Sequence, residues 1–303
     1  MKFLVFSDFH YDPPRFLCAG VEGIRLMQAR AEEEGCDFII QNGDFCHSAK
    51  DVPELLDAYN NFHIPSYHVL GNHDAEFTSY EETLSLYGMP NEYYHFDVGG
   101  YRIIVLNPNY YRDGAEFVHF SLANWLAHNP ERDWFPPQQL QWLEKTIADS
   151  PYPCVIFSHQ SLERVDGVKN RQAALDIINA ANKRKKHSVL LCINGHYHRD
   201  NIRILDGVCY FDVNGASSDW IEKRHHCYPD ELHERVTKLH HLIVNERPLY
   251  AVVELTGTTV EIKGSETTML HGVTYRDAAG SDGYDRCGRP WTPRIQSAKI
   301  TLG

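Results

Sequence analysis

Residues 3–10 read FLVFSDFH, a short apolar run that ends in a serine followed by Asp8 and His10. An apolar run followed by polar residues recurs at residues 38–44, FIIQNGD, and at residues 67–74, YHVLGNHD. Apolar runs of this length, bounded by turn residues, are typical of buried β-strands. The sequence therefore predicts three strands, each of which runs directly into a polar loop.

Helical patterns separate these strands. Apolar residues recur at helical spacing over residues 21–34, which end before Gly35, and two further helices are predicted over 52–61 and 79–87. Gly99-Gly100 lies between two alternating runs and predicts a two-residue hairpin. The alternation of strand and helix predicts an α/β domain with helices packed on a largely parallel or mixed sheet.

The pattern resumes after an aromatic-rich stretch, residues 107–137, which we interpret as an elaborated loop. Helices are predicted over 137–148, 170–185 and 230–242, and strands over 154–158, 188–193, 202–205, 208–213, 249–255 and 258–263. We expect one domain over residues 1–265 that carries the aromatic insertion and a His-rich segment, 220–245. Residues 266–303 are rich in Gly, Asp, Arg and Thr, which predicts an irregular tail.

Composition excludes several classes of protein. The chain has 303 residues and a formal net charge of −12, and its apolar runs are far shorter than the roughly 18–20 residues that a membrane helix needs. The first residues lack the pattern of a secretory signal, so we expect a cytoplasmic protein that does not bind membranes. The 8 cysteines form no C-x-x-C pair, so we expect reduced thiols. The negative charge disfavours long polyanions as partners without excluding nucleic acid. The sequence indicates no oligomeric state.

Five polar clusters follow predicted strands. They are Asp8-x-His10, Gly43-Asp44, Gly71-Asn72-His73-Asp74, Ser158-His159-Gln160 and Gly195-His196-Tyr197-His198. In open α/β sheets, ligands bind beyond the carboxyl ends of the strands, so these clusters are expected to converge there. Carboxylate, amide and imidazole groups without a thiolate suit hard to borderline divalent ions, including Mn, Fe and Zn. Seven such residues are too many for one tetrahedral ion and suit two ions that share a carboxylate.

The five clusters resemble the signature of the calcineurin-like metallophosphoesterase superfamily: D-x-H, G-D, G-N-H-D/E, a lone His and G-H-x-H. The match spans about residues 2–215. It implies a sandwich of two mixed β-sheets flanked by helices, an α+β arrangement of the predicted α/β elements. It also implies two divalent ions, Mn, Fe or Zn, and a metal-bridging hydroxide as nucleophile. The implied ligands are Asp8, His10, Asp44 and His198 for one ion, and Asp44 as the shared bridge with Asn72, His159 and His196 for the other.

The resemblance also implies roles for His73 and Asp74. His73 is the candidate general acid that protonates the leaving oxygen, and Asp74 is expected to hold the imidazole of His73 in the useful tautomer. The alternative for His73 is support of Asn72 or of another ligand from the second coordination sphere.

Other segments carry candidate substrate contacts. In the insertion, Tyr110, Tyr111 and Arg112, together with Trp134, are candidates to stack on a base or contact a phosphate, and the alternative is that the aromatic residues fill a small satellite core. The His-rich segment is expected to be a solvated helix face rather than a further metal site. In the tail, the residues that could cover the active site as a lid are Arg276, Tyr284, Arg286, Arg289 and Trp291, and the alternative is a passively docked extension.

The resemblance therefore implies a metal-dependent phosphoesterase that acts on a small phosphodiester, a nucleotide-like compound or a pyrophosphate. The chain lacks the G-D-x-V-D-R-G motif of Ser/Thr protein phosphatases and the tyrosine ligand of purple acid phosphatases. Residues 43–47, GDFCH, are similar to the motif of DNA double-strand-break repair nucleases, which keeps a nuclease as the alternative. A third possibility is a non-catalytic scaffold with this fold, although such scaffolds lose metal ligands and this chain retains them all.

Overall fold

The computed structural model describes residues 1–128, 131–283 and 291–303. Two six-stranded sheets lie at its centre. The first sheet consists, in spatial order, of β16 (Ala298–Thr301), β15 (Thr259–Gly264), β14 (Ala251–Thr256), β1 (Lys2–Phe6), β2 (Phe38–Asn42) and β3 (Ser66–Val69). The second consists of β10 (Asn201–Leu205), β11 (Val208–Asp212), β9 (Val189–Asn194), β8 (Cys154–Phe157), β5 (Tyr101–Val105) and β4 (Tyr94–Val98).

Both sheets are mixed. In the first, β1, β2 and β3 run parallel, while β14 pairs antiparallel with β1. In the second, β5, β8, β9 and β11 form the parallel centre, and antiparallel hairpin strands close both edges. The hairpin predicted at Gly99-Gly100 joins β4 to β5. The prediction of a sandwich of two mixed sheets is therefore confirmed.

The two sheets face each other across an apolar core, and helices cover their outer faces. Side chains alternate along β1, so that Phe3 and Val5 point into the sandwich while Leu4 and Phe6 point to the other side. On that outer side lie α1 (Gly20–Glu34), α2 (Pro53–Asn60) and α3 (Tyr80–Tyr87). The second sheet is covered by α4 (Pro137–Ala148) and α5 (Arg171–Arg184). The chain thus forms four layers, and strands buried on both faces read as continuous apolar runs in the sequence.

The aromatic insertion is more regular than the predicted loop. It contains a hairpin, β6 (Tyr110–Asp113) paired with β7 (Glu116–His119), and a 3₁₀ turn at Asn124–His128. Tyr111, Phe120 and Trp125 are buried together in a small cluster. The expectation of a satellite core is therefore the one that the structure supports.

The helix predicted over residues 230–242 is wrong in its second half. Helix α6 spans only Asp230–Arg235. The chain then forms a 3₁₀ turn and the short strand β13 (Leu242–Val244), which pairs with β12 (Ser218–Trp220). Val236, Leu239 and Ile243 are nevertheless all buried, in a cluster beneath this segment. The backbone amides of Thr237 and Lys238 bond to the carbonyls of Pro14 and Arg15, and this tertiary pairing replaces the helix.

The tail is not irregular. Helix α7 (Tyr275–Ala279) begins at a capping box formed by Thr274 and Asp277, and β16 extends the first sheet by pairing with β15. Tyr284, Arg286 and Arg289, which were candidates for a lid, lie outside the described residues.

Two general expectations concern thiols and membranes. The seven cysteines within the described residues are free, as expected for reduced thiols. In the described part of the chain, every helix is too short or too polar to cross a bilayer.

Candidate metal centre

The five predicted clusters lie at the carboxyl ends of neighbouring strands. Asp8 follows β1 and Asp44 follows β2, while His159 follows β8 and His196 follows β9 in the second sheet. The loops are tied to one another, because the amide of Asp8 donates to the carbonyl of Gly43 at 2.9 Å and the amide of Gly195 donates to the carbonyl of His159 at 2.9 Å. The sandwich therefore brings residues 188 positions apart in the chain to one edge.

Six of the seven predicted ligands form two clusters. In the first, Asp8, His10 and His198 offer ligand atoms that all lie within 4.8 Å of one another. In the second, Asp44, His159 and His196 do the same. The seventh residue, Asn72, is buried, with 5% of its surface exposed. The resemblance grouped these six residues in the same way, with Asp44 shared and Asn72 added to the second group, and their assignment as ligands stays a prediction.

Asp44 lies between the two clusters. Its Oδ2 is 3.1 Å from Nε2 of His159 and 3.9 Å from Nε2 of His10, which belong to different clusters. Its other oxygen, Oδ1, accepts a hydrogen bond from the amide of His73 at 2.8 Å. One oxygen is thus fixed by the backbone while the other faces the centre. Asp8 is arranged in the same way, since its Oδ2 accepts from the amide of His196 at 3.0 Å and its Oδ1 lies 3.3 Å from Nε2 of His198.

Three of the histidines present the same ring nitrogen to the centre. Nδ1 of His159 lies 2.8 Å from the carbonyl of Asn42, and Nδ1 of His198 lies 2.5 Å from the carbonyl of Ser218. Nδ1 of His10 lies 2.9 Å from Nε2 of His47. When Nδ1 donates to an acceptor outside the centre, Nε2 keeps its lone pair for a metal.

The residues present fit divalent cations. Among the described residues, Asp8 Oδ1, Asn72 Oδ1 and His159 Nε2 are buried and have no hydrogen-bond partner, although buried polar atoms are normally paired. Burial opposes a charge on His159, but the carboxylates of Asp44 and Asp8 outweigh burial and raise the pKa of His159 to about 10. The centre therefore favours positive charge, which a divalent ion supplies in place of a proton.

The backbone around the centre is strained. Five of the predicted ligands have φ between +49° and +72°, a region that residues other than glycine rarely adopt; they are Asp8, His10, Asp44, His196 and His198. Strain of this kind costs about 1–3 kcal/mol per residue and persists only where surrounding structure enforces it. Its concentration on ligands indicates that the loops are shaped to aim these side chains.

Glycines allow the loops to approach the ligands closely. A Cβ on Gly43 would lie 2.2 Å from Nδ1 of His159, and a Cβ on Gly71 would lie 2.2 Å from Oδ1 of Asp44. No side chain fits at either position. The glycines of the G-D and G-N-H-D motifs are thus explained by close packing against the ligands.

The expected pairing of Asp74 with His73 is wrong. Nδ1 of His73 lies 2.5 Å from Oε2 of Glu76. The carboxylate of Asp74 is fully buried and accepts hydrogen bonds from the amides of Asp44, Phe45, Cys46 and Gly71 and from the hydroxyl of Tyr87. Asp74 therefore fastens the loop that carries Asp44 to the loop that carries Asn72, and it does not contact the imidazole of His73.

The sequence analysis missed four residues beside the centre. His47 contacts His10, and Glu76 contacts both His47 and His73. From the insertion, the ring of Trp125 lies 5.6 Å from the ring of His73, and the guanidinium of Arg132 lies 5.1 Å from the ring of Trp125. His47 and Glu76 each follow a predicted site residue by three positions, and His47 also ends the motif GDFCH, but neither was assigned a role. Trp125 and Arg132 carried no signal, because only the folded insertion brings them to the centre.

The candidate substrate contacts Tyr110 and Tyr111 are buried, with 4% and 8% exposed. The hydroxyl of Tyr110 donates to Glu92, and the ring of Tyr111 stacks on His128 at 3.7 Å. Both rings therefore pack within the insertion, and their contact with a substrate base stays a prediction. Arg112 packs on Trp134, with its guanidinium 4.9 Å from the ring.

A cleft of about 660 Å³ opens beside the two clusters. His196, His198 and Trp220 are among the residues that line it, and 37% of the surface of Trp220 is exposed. The ring of Trp220 lies 6.2 Å from the ring of His10. Arg164 and Arg199 also line this cleft, together with Asp219 and Glu222. Arg164 is paired with Asp212, and Arg199 is paired with Asp219.

Residues of the tail contact the cleft, and the His-rich segment was the other segment considered for a metal site. The indole of Trp291 donates to the carbonyl of His198 at 3.1 Å, and Tyr275 lies within 3.4 Å of Arg199, so these tail residues support the wall of the cleft. Arg276 pairs with Asp282 at the surface. In the His-rich segment, the described residues form no group of three ligands within reach of one another.

Comparison with known proteins agrees with this geometry. A model of the family described as calcineurin-like phosphoesterase matches residues 1–200. A manganese-dependent ADP-ribose/CDP-alcohol diphosphatase from Arabidopsis thaliana is 24% identical over 251 residues, which cover 68% of this chain and 76% of that protein.

Two solved structures share the fold. A dimetal phosphatase from Danio rerio has a TM-score of 0.60 and 17% identity, over 89% of this chain and 98% of that one. GAP50, the anchor in the inner membrane complex of Plasmodium, has a TM-score of 0.55 and 13% identity, over 100% of this chain and 89% of that one. The family match spans about two thirds of the chain and contains the ligands up to His198. The chain belongs to the calcineurin-like phosphoesterase family and is a metal-dependent phosphoric ester hydrolase.

Proposed function

We propose that this protein hydrolyses the diphosphate linkage of a small, nucleotide-like substrate. The observation that carries the proposal is the cleft, which joins His196 and His198 to the exposed ring of Trp220. Its volume of about 660 Å³ lies within the range of small-molecule sites, roughly 300–1,000 Å³. The similarity to a diphosphatase of ADP-ribose and CDP-alcohols supports the same substrate class.

Seven residues would hold two divalent ions of Mn, Fe or Zn. Asp8, His10, Asp44 and His198 would hold one, and Asp44, Asn72, His159 and His196 would hold the other. When bound, such ions supply Lewis acidity and a nucleophilic water of lowered pKa, and they orient the reacting phosphate. The chain supplies the rigid frame, because the ligand side chains are oriented by backbone groups such as the amides of His73 and His196.

His73 is proposed to donate a proton to the leaving oxygen. Its Nδ1 faces Glu76, so Nε2 is the nitrogen left for the substrate. Its position next to Asn72 and its amide contact with Asp44 bring it beside the centre without making it a ligand. A positioned acid contributes about 10²–10⁴-fold to a rate, and it contributes most when the leaving group is a poor one.

Trp220 is proposed to stack on the planar group of the substrate. It packs edge-on against Phe16 at 5.3 Å, which fixes the indole while leaving part of it exposed in the cleft. Because the indole is already held in place, its contact with the planar group of the substrate costs little conformational entropy. Arg164 and Arg199 line the same cleft, but each guanidinium is paired with a buried carboxylate, that of Asp212 or Asp219. The positive charge that attracts a diphosphate in a chain of net charge −12 is therefore proposed to come from the two ions. The free cysteines support a cytoplasmic location.

A substrate panel tests the proposal. Protein loaded with Mn²⁺ should cleave ADP-ribose and a CDP-alcohol with kcat/KM well above that for single-stranded or duplex DNA. Preferred cleavage of DNA would favour the nuclease alternative, and cleavage of none of these compounds by a protein that holds two ions would refute the assignment.

A variant at Trp220 tests the stacking surface. Trp220→Ala should raise KM for ADP-ribose about tenfold, since stacking on an aromatic ring is worth roughly 1–3 kcal/mol, and it should leave KM for a nitrophenyl phosphodiester nearly unchanged. Trp220→Phe should retain most of the affinity. Tyr152→Ala removes a surface ring of similar exposure, 40%, and serves as the control. An equal rise of KM for both substrates would show that the indole does not contact the base.

A further inference from the structure

Glu76 contacts two histidines through one carboxylate oxygen. Oε2 lies 2.5 Å from Nδ1 of His73 and 2.8 Å from Nδ1 of His47. The other oxygen, Oε1, accepts from the guanidinium of Arg15 at 3.2 Å. Only 12% of the Glu76 side chain is exposed. The carboxylate therefore lies between the proposed acid and a second imidazole, where water has little access.

The second imidazole connects Glu76 to the metal centre. Nε2 of His47 lies 2.9 Å from Nδ1 of His10, and His10 is one of the proposed ligands. His47 is 1% exposed, and its ring stacks on Phe16 at 4.5 Å. A chain of contacts thus runs from His73 through Glu76 and His47 to His10.

We propose that Glu76 is a positioning residue that fixes the tautomers of three imidazoles, those of His73, His47 and His10. The proposal rests on the proposed function of His73 as the general acid and of His10 as a metal ligand. Glu76 touches neither the substrate nor the proposed ions.

The hydrogen-bonding capacity of each group leads to this assignment. An ionised carboxylate only accepts hydrogen bonds, so His73 and His47 both carry their proton on Nδ1. A ring that carries its one proton on Nδ1 accepts at Nε2, and Nε2 of His47 faces Nδ1 of His10 at 2.9 Å. Nε2 of His47 is then an acceptor, and His10 donates to it from Nδ1. His10 is left with the lone pair of Nε2, the nitrogen that faces Asp8 and Asp44, at 3.9 Å from each.

Glu76 is ionised in this setting. Burial alone would raise the pKa of its carboxyl group, but the hydrogen bonds from His47 and His73 outweigh burial and hold that pKa well below its usual range. For His73 the consequence is that Nδ1 is occupied by Glu76, so Nε2, on the far side of the ring, is the nitrogen that faces the leaving oxygen and donates to it when both ring nitrogens carry a proton.

The other ligands do not depend on Glu76. His159 and His198 direct Nδ1 to the backbone carbonyls of Asn42 and Ser218, so their tautomers are set by the main chain. Loss of Glu76 should therefore weaken the site of Asp8, His10 and His198 and spare the site of Asp44, His159 and His196. A residue with a merely structural role would not act on one ion selectively.

A competing interpretation is a third ion, since His47, His73 and Glu76 also offer three ligand atoms within 4.8 Å of one another. Hydrogen bonds at 2.5 and 2.8 Å already satisfy both Nδ1 atoms. We therefore favour the hydrogen-bonded network, and the number of ions bound per chain separates the two interpretations.

The test compares Glu76→Ala and Glu76→Gln with Glu81→Ala, which removes an exposed carboxylate nearby. Full-chain protein with ¹⁵N-labelled histidine, loaded with diamagnetic Zn²⁺, gives the ring tautomers by long-range ¹H–¹⁵N correlation. In the parent protein His73 and His47 should carry the proton on Nδ1, and Glu76→Ala should lose this pattern. Competition titration with Mn²⁺ should show one of two affinities lowered about 10- to 100-fold, as is usual when an outer partner of a ligand is removed. Glu76→Gln should be intermediate, because its amide oxygen still accepts one hydrogen bond.

Several outcomes would overturn the proposal. They are an unchanged tautomer pattern in a folded Glu76→Ala protein, equal weakening of both ions, and a third ion in the parent protein that is lost with Glu76. The tautomer and metal readouts do not require turnover. If the parent protein cleaves no phosphate ester, the proposed function fails while the role of Glu76 in orienting His10 is still measured.

Discussion

Substitution of Gly43 by alanine should displace His159 while leaving the fold intact. Gly43 has φ +95°, and a Cβ there would lie 2.2 Å from Nδ1, 2.5 Å from Cγ and 2.8 Å from Cβ of His159. Ordinary contact begins at 3.4 Å, so the imidazole must retreat by about 1.2 Å, the difference from 2.2 Å. His159 is fully buried, and its Nδ1 is held by the carbonyl of Asn42 at 2.8 Å.

The expected loss follows from that displacement. A shift of about 1 Å in a reacting geometry can lower a rate about 100-fold, and the strained backbone costs roughly 1–2 kcal/mol for a residue with a Cβ. We therefore expect Gly43→Ala to lower kcat/KM about 100-fold and to weaken the ion of the Asp44, His159 and His196 cluster. Initial rates on ADP-ribose and Mn²⁺ titration measure the two effects, and urea unfolding measures the stability.

Gly100→Ala is the matched control. Gly100 also has a positive φ, +80°, but a Cβ there would meet nothing within 4 Å. Both variants should lose some stability, and only Gly43→Ala should lose metal and activity. If Gly43→Ala binds two ions with parental affinity and retains activity within about threefold of Gly100→Ala, the close packing of Gly43 on His159 does not position the ligand.

Three further predictions concern His73, the hydrogen bonds of Asp74 and the metal ions. His73→Ala should keep both ions and lose about 10²–10⁴-fold in kcat on an alkyl ester but far less on a nitrophenyl ester; equal losses on both esters would contradict the acid role. Asp74→Asn should lower the free energy of unfolding in urea by about 3 kcal/mol. The new amide nitrogen would face buried N–H groups, and each of these costs about 1–3 kcal/mol when it has no acceptor. A change below 1 kcal/mol would contradict the role of Asp74 in joining the two loops. Removal of the ions with a chelator should lower the melting temperature, and Mn²⁺ should restore it, since an ion at 100 times its Kd contributes about 2.7 kcal/mol. A melting temperature that does not respond to Mn²⁺ would indicate that the clusters hold no ion.

The fold alone does not decide between an enzyme and a scaffold. The structure of GAP50, an anchor by its description, covers this chain as fully as the dimetal phosphatase does. The residues at the strand ends carry the chemical information, and there this chain combines Asp8, Asp44 and four histidines in two clusters. Fold similarity therefore supports the architecture, and the ligand set supports the chemistry.

The elements that were predicted well are those whose signal is local. The apolar runs of β1, β2 and β9 are buried on both faces, so their composition identifies them without neighbours. The second half of the helix predicted over residues 230–242 failed because the amides of Thr237 and Lys238 bond to the carbonyls of Pro14 and Arg15, contacts that no local pattern predicts. The capping box at Thr274 and Asp277 was a local signal that the interpretation as an irregular tail overlooked.

By itself, the sequence determined the fold class, the chemistry of the ligands and their order along the chain, because strand composition and residue type are properties of short segments. Only the tertiary structure determined which carboxylate pairs with which histidine. Asp74 is adjacent to His73 in sequence, yet it is turned toward the loop of Asp44, while Glu76 reaches both His73 and His47. It likewise buried Tyr110 and Tyr111 and exposed Trp220 in the cleft. The physical reason is that side-chain partners depend on distances between loops from different strands, and those distances exist only once the two sheets have packed.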